Sequence, residues 1–270
     1  MHIDKSIRIG AVTYLNTKPL VYGLSDQFPE ADLLFDLPSR LADRLKSGEL
    51  DVALIPSIET LQSDEYTIVS DACIACHGPV WSVRLMSRIP FDQIRTLSLD
   101  EGSRTSVALS KILFDLRFGR LPQTVPLPIN QPPEQVTTDA VLIIGDRAMQ
   151  GASAEFPYDW DLGEQWLHTT GLPFVFAMWT ARKDFRCDPL GYQLSQARDR
   201  GVAHVQTIAE QHAADYGLSV EQCVRYLREH LQFELAQPQC EALTLFHQQA
   251  VRLGLAPPHV EISFYDCKTS

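Results

Sequence analysis

Ser103-Arg104-Thr105-Ser106 puts three hydroxyls and a guanidinium into four consecutive positions, directly after the turn Asp100-Glu101-Gly102. Downstream, Leu109, Ile112, Leu113 and Leu116 recur at i, i+3, i+4 and i+7, which predicts a helix with one apolar face. The four residues therefore fall on a helix N-terminus, where unpaired backbone N–H groups and the macrodipole favour negative charge. Ser103 or Thr105 alone would serve as an ordinary cap. Three hydroxyls beside an arginine exceed what a cap requires, so the stretch reads as a site for a carboxylate or phosphate. Arg104 could grip a carboxylate through two hydrogen bonds.

Other chemistry-bearing residues sit at the ends of expected strands. Asn16 follows the strand pattern Ile7–Val12, and either its amide serves a ligand or it caps a helix ahead of Pro19. Ser57 ends the strand pattern Asp51–Ser57 in a Pro-Ser turn. Glu59, two residues further on, is a candidate base or else the partner of a nearby arginine; Asp146 and His168 are lesser candidates. Cys73-Ile74-Ala75-Cys76-His77 matches the C-x-x-C-H pattern of haem attachment. It lies in an apolar, strand-like run from Tyr66 to Val83, however, and Asp4, Lys5 and Arg8 break the apolar stretch an export signal needs. The match is read as coincidence, and the cysteines at 73, 76, 187, 223, 240 and 267 as free thiols. No Ser-His-Asp, His-Glu-x-x-His or glycine-rich phosphate motif is found, so neither a metal nor a cofactor is expected.

The elements that must position these residues alternate. Ile7–Val12, Ala31–Leu37 and Asp51–Ser57 read as strands, with a helix after Pro38-Ser39 closed by Gly48. This is the βαβ pattern of a parallel sheet, in which ligands gather beyond the C-terminal strand ends. Strands at Thr96–Asp100, Thr124–Leu127 and Ala140–Asp146 and the helix after Ser103 form a second α/β unit. We place residues 83–179 in it, inserted into a first unit of residues 1–82 and 180–270. The last third reads as core-covering helices, one opened by the capping box Ser219–Gln222, with a terminal strand at Val260–Tyr265. The fold class is thus α/β with two lobes.

The chain has 270 residues, 45% of them hydrophobic, enough for one large domain or two lobes, and a formal net charge of −11. Such acidity argues against nucleic acid as a partner and requires any anionic ligand to be held by local groups. No apolar run approaches the ~18–20 residues of a membrane span. A cytoplasmic monomer or homodimer acting on a small molecule is expected, without membrane attachment.

The motifs form an ordered set: Val12-Thr13-Tyr14-Leu15-Asn16-Thr17-Lys18-Pro19-Leu20, Leu54-Ile55-Pro56-Ser57-Ile58-Glu59, Gly78-Pro79-Val80-x-Ser82-Val83 and Ser103-Arg104-Thr105-Ser106. Asp161-Leu162-Gly163-x-x-Trp166 and Thr170-Gly171-Leu172-Pro173-Phe174 follow. From about Arg8 to the last helix the chain resembles the chorismate dehydratases of the futalosine route to menaquinone. The resemblance implies the two-lobed fold of type II periplasmic binding proteins, each lobe a mixed, largely parallel sheet, joined by two crossover segments. It also implies a hydro-lyase that converts chorismate to 3-[(1-carboxyvinyl)oxy]benzoate. Asn16 and Glu59 become the catalytic candidates, and Ser57, Ser82, Ser103, Arg104, Thr105, Ser106, Gly145 and Thr170 the substrate-binding ones. The enolpyruvyl carboxylate of the substrate is an alternative base. The dihydroxynaphthoate synthases of the same route, and a non-catalytic carboxylate-binding protein, are the competing readings.

Overall fold

A computed structural model describes residues 6–150, 154–186 and 189–264. Cys187, Cys267 and Tyr265, the last residue of the expected terminal strand, lie outside these ranges.

Among the described residues eleven strands fall into two sheets. β1 (Arg8–Val12) is flanked by β2 (Asp32–Asp36) and β3 (Val52–Pro56), parallel to both. On the far side of β3 run β10 (Phe174–Arg182), β4 (Tyr66–Cys76) and β11 (Gln232–Glu234), each antiparallel to its neighbour. The second sheet has the order β7-β6-β8-β5-β9. In it β6 (Thr96–Asp100) is parallel to β7 (Gln123–Leu127) and β8 (Ala140–Ile144), while β5 (Val83–Ser87) is antiparallel to β8 and β9 (Tyr158–Asp161). Both sheets are mixed. Antiparallel pairing is as prominent as parallel because the chain enters and leaves the second unit through long strands rather than βαβ crossovers.

The sequence division between Trp179 and Thr180 falls inside β10, all of which pairs in the first sheet with β3 and β4. The chain returns to that sheet before Phe174.

Nine α-helices cover the sheets: α1 (Leu24–Gln27), α2 (Pro38–Ser47), α3 (Ser57–Thr60), α4 (Arg104–Phe118), α5 (Leu162–Thr170), α6 (Leu190–Ala203), α7 (Val205–His212), α8 (Val220–Arg225) and α9 (Gln237–Arg252), counted among the described residues. Gly48 closes α2 in the left-handed conformation and the Ser219–Gln222 capping box opens α8. In α4, Leu109, Ile112 and Leu113 are buried as their spacing requires, each worth about 1.5–3 kcal/mol of apolar burial. Leu116 is exposed, and Phe114 is buried instead, because the inward stripe is one the ring can reach beside Phe118 and Trp160. Among the described residues of the expected terminal strand, Phe264 forms one isolated bridge to Ile68.

Cys73 and Cys76 stand three apart on β4, so they point to opposite faces of the sheet. Their thiols lie in separate apolar clusters, fully buried and pushed well above the usual thiol range by desolvation, while His77 is exposed. A strand cannot present this triplet to one ligand. Among the described residues no helix is long and apolar enough to cross a membrane.

Candidate active site

A narrow cleft opens between the two sheets at the C-terminal ends of β1 and β3 and the start of α4. Its walls enclose about 490 Å³ of space, open solvent included. Val12, Pro56, Ile74, Val83, Ile144 and Phe176 supply apolar walls. The polar side chains on the lining are Tyr14, Asn16, Ser82, Ser103 and Ser106. No carboxylate, imidazole, amine or thiol is among the described lining residues.

Each polar group is aimed by its own element. Asn16 belongs to a 3₁₀ turn, Leu15–Val21, whose N-cap position is Tyr14 with no side-chain bond. The amide of Asn16 is therefore not consumed in capping; its Oδ1 accepts from Thr17 Oγ1 at 3.4 Å. Ser103 is the N-cap of α4: its Oγ accepts from Ser106 N at 3.2 Å and donates to Ser106 Oγ at 2.8 Å. With its oxygen occupied from behind, Ser106 keeps its own proton to donate.

Ser82 ends the crossing from β4 to β5, and Asp161 fixes that crossing. One carboxylate accepts from Val80 N at 2.9 Å, Trp81 N at 2.6 Å, Gly163 N at 3.0 Å and Glu164 N at 3.2 Å. It thus caps α5 and holds Trp81 at φ +63°, a strained conformation for a bulky residue, next to a cleft residue. Gly163 admits no side chain, since a Cβ there would lie 2.5 Å from Cys76 Sγ and from the Gly78 carbonyl. The Asp-Leu-Gly motif is thus a device for placing Ser82.

The sequence candidates divide. Asn16, Ser82, Ser103, Ser106 and Gly145 line the cleft together. Ser57 and Thr105 do not line it; their hydroxyls face each other at 3.3 Å, Ser57 donates to the Val175 carbonyl at 2.8 Å, and Thr105 accepts from Ile58 N at 3.2 Å. Both are fully buried and join α3 to the first turn of α4. Arg104 and Glu59 face a separate open groove on the outer side of α4. There Arg104 pairs with Glu59 at 3.2 Å and with Asp43 of α2 at 2.8 Å. Burial pushes the Glu59 carboxyl up, against the pull of Arg104. The one-turn helix α3 explains the placement: Ser57 turns toward the interior, and two positions on Glu59 comes out on the other side. Thr170 closes α5, donating to the Trp166 carbonyl at 2.8 Å and accepting from Leu172 N at 3.2 Å. His168 is exposed. Asp146 accepts from Leu15 N at 3.4 Å, with its carboxyl pushed up to about 6 by desolvation.

Two residues escaped the sequence reading. Tyr14 carries its ring across the junction onto Gly145, and burial beside Asp100 and Asp146 pushes its phenol well up. Tyr226, fully buried, donates its hydroxyl to Ser82 Oγ at 2.8 Å. Tyr14 lies within the Val12–Leu20 motif, where its aromatic type was the available signal. Tyr226 lies 144 positions from Ser82, with no local pattern to mark it.

Comparison with known proteins agrees with this architecture. Chorismate dehydratase of Thermus thermophilus is 29% identical over 92% of this chain and 96% of its own length. Among solved structures, protein AF1704 of Archaeoglobus fulgidus matches with a TM-score of 0.74 at 16% identity, covering 94% of this chain and all of its own. The alkanesulfonate-binding protein SsuA of Xanthomonas axonopodis pv. citri, bound to MOPS, matches with a TM-score of 0.66 at 15% identity over 97% and 98% of the two chains. At such identities these structures establish the fold, that of the periplasmic binding proteins. The model of a family described as menaquinone biosynthesis matches residues 7–252, and the chain belongs to that family.

Proposed function

We propose that this chain is a chorismate dehydratase, a hydro-lyase that eliminates water from chorismate to give 3-[(1-carboxyvinyl)oxy]benzoate on the futalosine route to menaquinone. The observation that carries the reading is the cleft of neutral donors at a helix N-terminus, without a side-chain base among its described lining residues. Chorismate fits such a lining because it brings two carboxylates and can supply its own base.

The reaction breaks the C3–H bond and the C4–O bond, and the ring becomes aromatic. The C3 proton passes to the enolpyruvyl carboxylate, which is tethered to C3 through the ether oxygen and needs only to be held in reach. The electron pair spreads through the adjacent double bond into the ring carboxylate, then expels hydroxide from C4, which leaves as water with the proton. Donors placed around the ring carboxylate stabilise the charge that develops there. Ser106, at the positive end of α4, holds one carboxylate. Ser82, from the opposite wall, meets the other carboxylate or the departing hydroxyl. Asn16 donates to the hydroxyl or the ring carboxylate without adding charge. Glu59 and Arg104 act outside the cleft, tying α3 and α2 to the start of α4.

Turnover followed by the ultraviolet absorbance of the aromatic product tests the reading. Tight binding of chorismate without aromatisation would mark a binding protein instead.

A further inference from the structure

We propose that Tyr226 is a positioning residue: by donating to Ser82 Oγ it leaves the Ser82 proton directed into the cleft, toward an oxygen of the ligand. The inference deepens the chorismate reading and rests on it. A serine hydroxyl has one proton and can accept two. The Tyr226 hydroxyl fills one acceptor position of Ser82 at 2.8 Å, and the Ser82 backbone N–H is already given to the Val80 carbonyl. What remains for the ligand is a donor of fixed direction. Burial pushes the Tyr226 phenol well up, against the pull of Ser82 and Asn16.

The placement of Tyr226 is built. It opens a π-helical turn, Tyr226–His230, a backbone form that recurs at functional sites. Trp81 packs edge-on against its ring at 5.8 Å and lies against His230, whose ring nitrogen meets the Pro79 carbonyl at 2.9 Å. The strained crossing that carries Ser82 and the turn that carries Tyr226 therefore hold each other. Ser103 treats Ser106 in the same way across the cleft, occupying its oxygen and leaving its proton.

The test compares wild type, Tyr226→Phe, Ser82→Ala and the double variant in chorismate turnover. In parallel, isophthalate, a ring dicarboxylate that cannot react, is titrated by tryptophan fluorescence. Each single variant should lower kcat/KM by about tenfold or more, the worth of a hydrogen bond to a charged group, and weaken isophthalate similarly. The double variant should be no worse than Ser82→Ala within about twofold, because Tyr226 acts through Ser82. Additive losses would show an ordinary structural role and overturn the proposal. Wild-type behaviour of Ser82→Ala would overturn it even if Tyr226→Phe failed to fold. A wild type that binds isophthalate but leaves chorismate intact would defeat the functional reading, while the four affinities still decide this one. A wild type that does neither overturns both.

Discussion

The ring of Tyr14 lies on Gly145 so closely that a Cβ there would sit 2.8 Å from Tyr14 Cε1. Tyr14 follows β1 of the first sheet and Gly145 follows β8 of the second, so this contact sets how far the two walls of the cleft approach. Gly145 also has φ +67°, which an L side chain adopts at a penalty of about 1 kcal/mol. Gly145→Ala should lower stability by about 2–4 kcal/mol and reduce turnover, from overpacking added to the backbone strain. Gly119→Ala separates the two effects, since Gly119 has φ +63° with nothing within 4 Å. It should lose about 1 kcal/mol and keep full activity. Thermal unfolding and turnover of both variants check this; equal losses would remove the Tyr14 contact from the explanation.

Glu59 is bonded to Arg104 in the outer groove rather than turned to the cleft. Glu59→Gln should therefore retain turnover within about threefold of wild type and shift stability by under about 1 kcal/mol, the scale of a partly exposed ion pair. A nearly inactive Glu59→Gln enzyme that still binds chorismate would make Glu59 the base.

Asp146 gives a pH dependence with a definite sign. Its carboxyl is raised from 3.8 to about 6 by burial, so the folded state holds a proton that the unfolded chain has already released. Its contribution is fully present below about pH 4 and is lost as pH rises through about 6, for a total of about 2–3 kcal/mol. Asp146→Asn removes that loss and keeps an oxygen for the Leu15 N–H. Relative to wild type, the variant should gain stability between about pH 4 and about pH 7. Unfolding curves at the two pH values measure it; a difference that does not change with pH would contradict the assignment.

Ser106 sits at the positive end of a 15-residue helix and keeps a free proton because Ser103 occupies its oxygen. Ser106→Ala should raise the KM for chorismate about tenfold or more with little change in unfolding temperature. Ser57→Ala should do the reverse. Its hydroxyl is spent on the Val175 carbonyl and Thr105, so the loss falls on stability, about 1–2 kcal/mol.

The sequence made parts of this site legible for physical reasons. Asn16 and Ser106 lie just past strand ends, where a parallel pair exposes its loops, and local pattern was enough to expect them on one cleft wall. Glu59 takes the alternative the sequence left open, the partner of a nearby arginine. Spacing along the chain does not tell which side of a one-turn helix faces the cleft; the packing of α3 on α4 turns Glu59 to Arg104 in the outer groove. The parallel order of β1, β2 and β3 was readable from alternating strands and helices. The antiparallel insertion of β10 between β3 and β4 was not, since a fully buried strand carries no mark of its direction. Tyr226 depends on a fold that brings the C-terminal helices back to the cleft, and no window of local sequence contains that.

Mass analysis after incubation with chorismate tests a cleft of uncharged donors that dehydrates chorismate, the substrate supplying its own base. Wild type should form a product lighter by one water, and Asn16→Ala should form it at least about a hundredfold more slowly. Intact chorismate after incubation with the wild type, or equal rates in both proteins, would contradict the account.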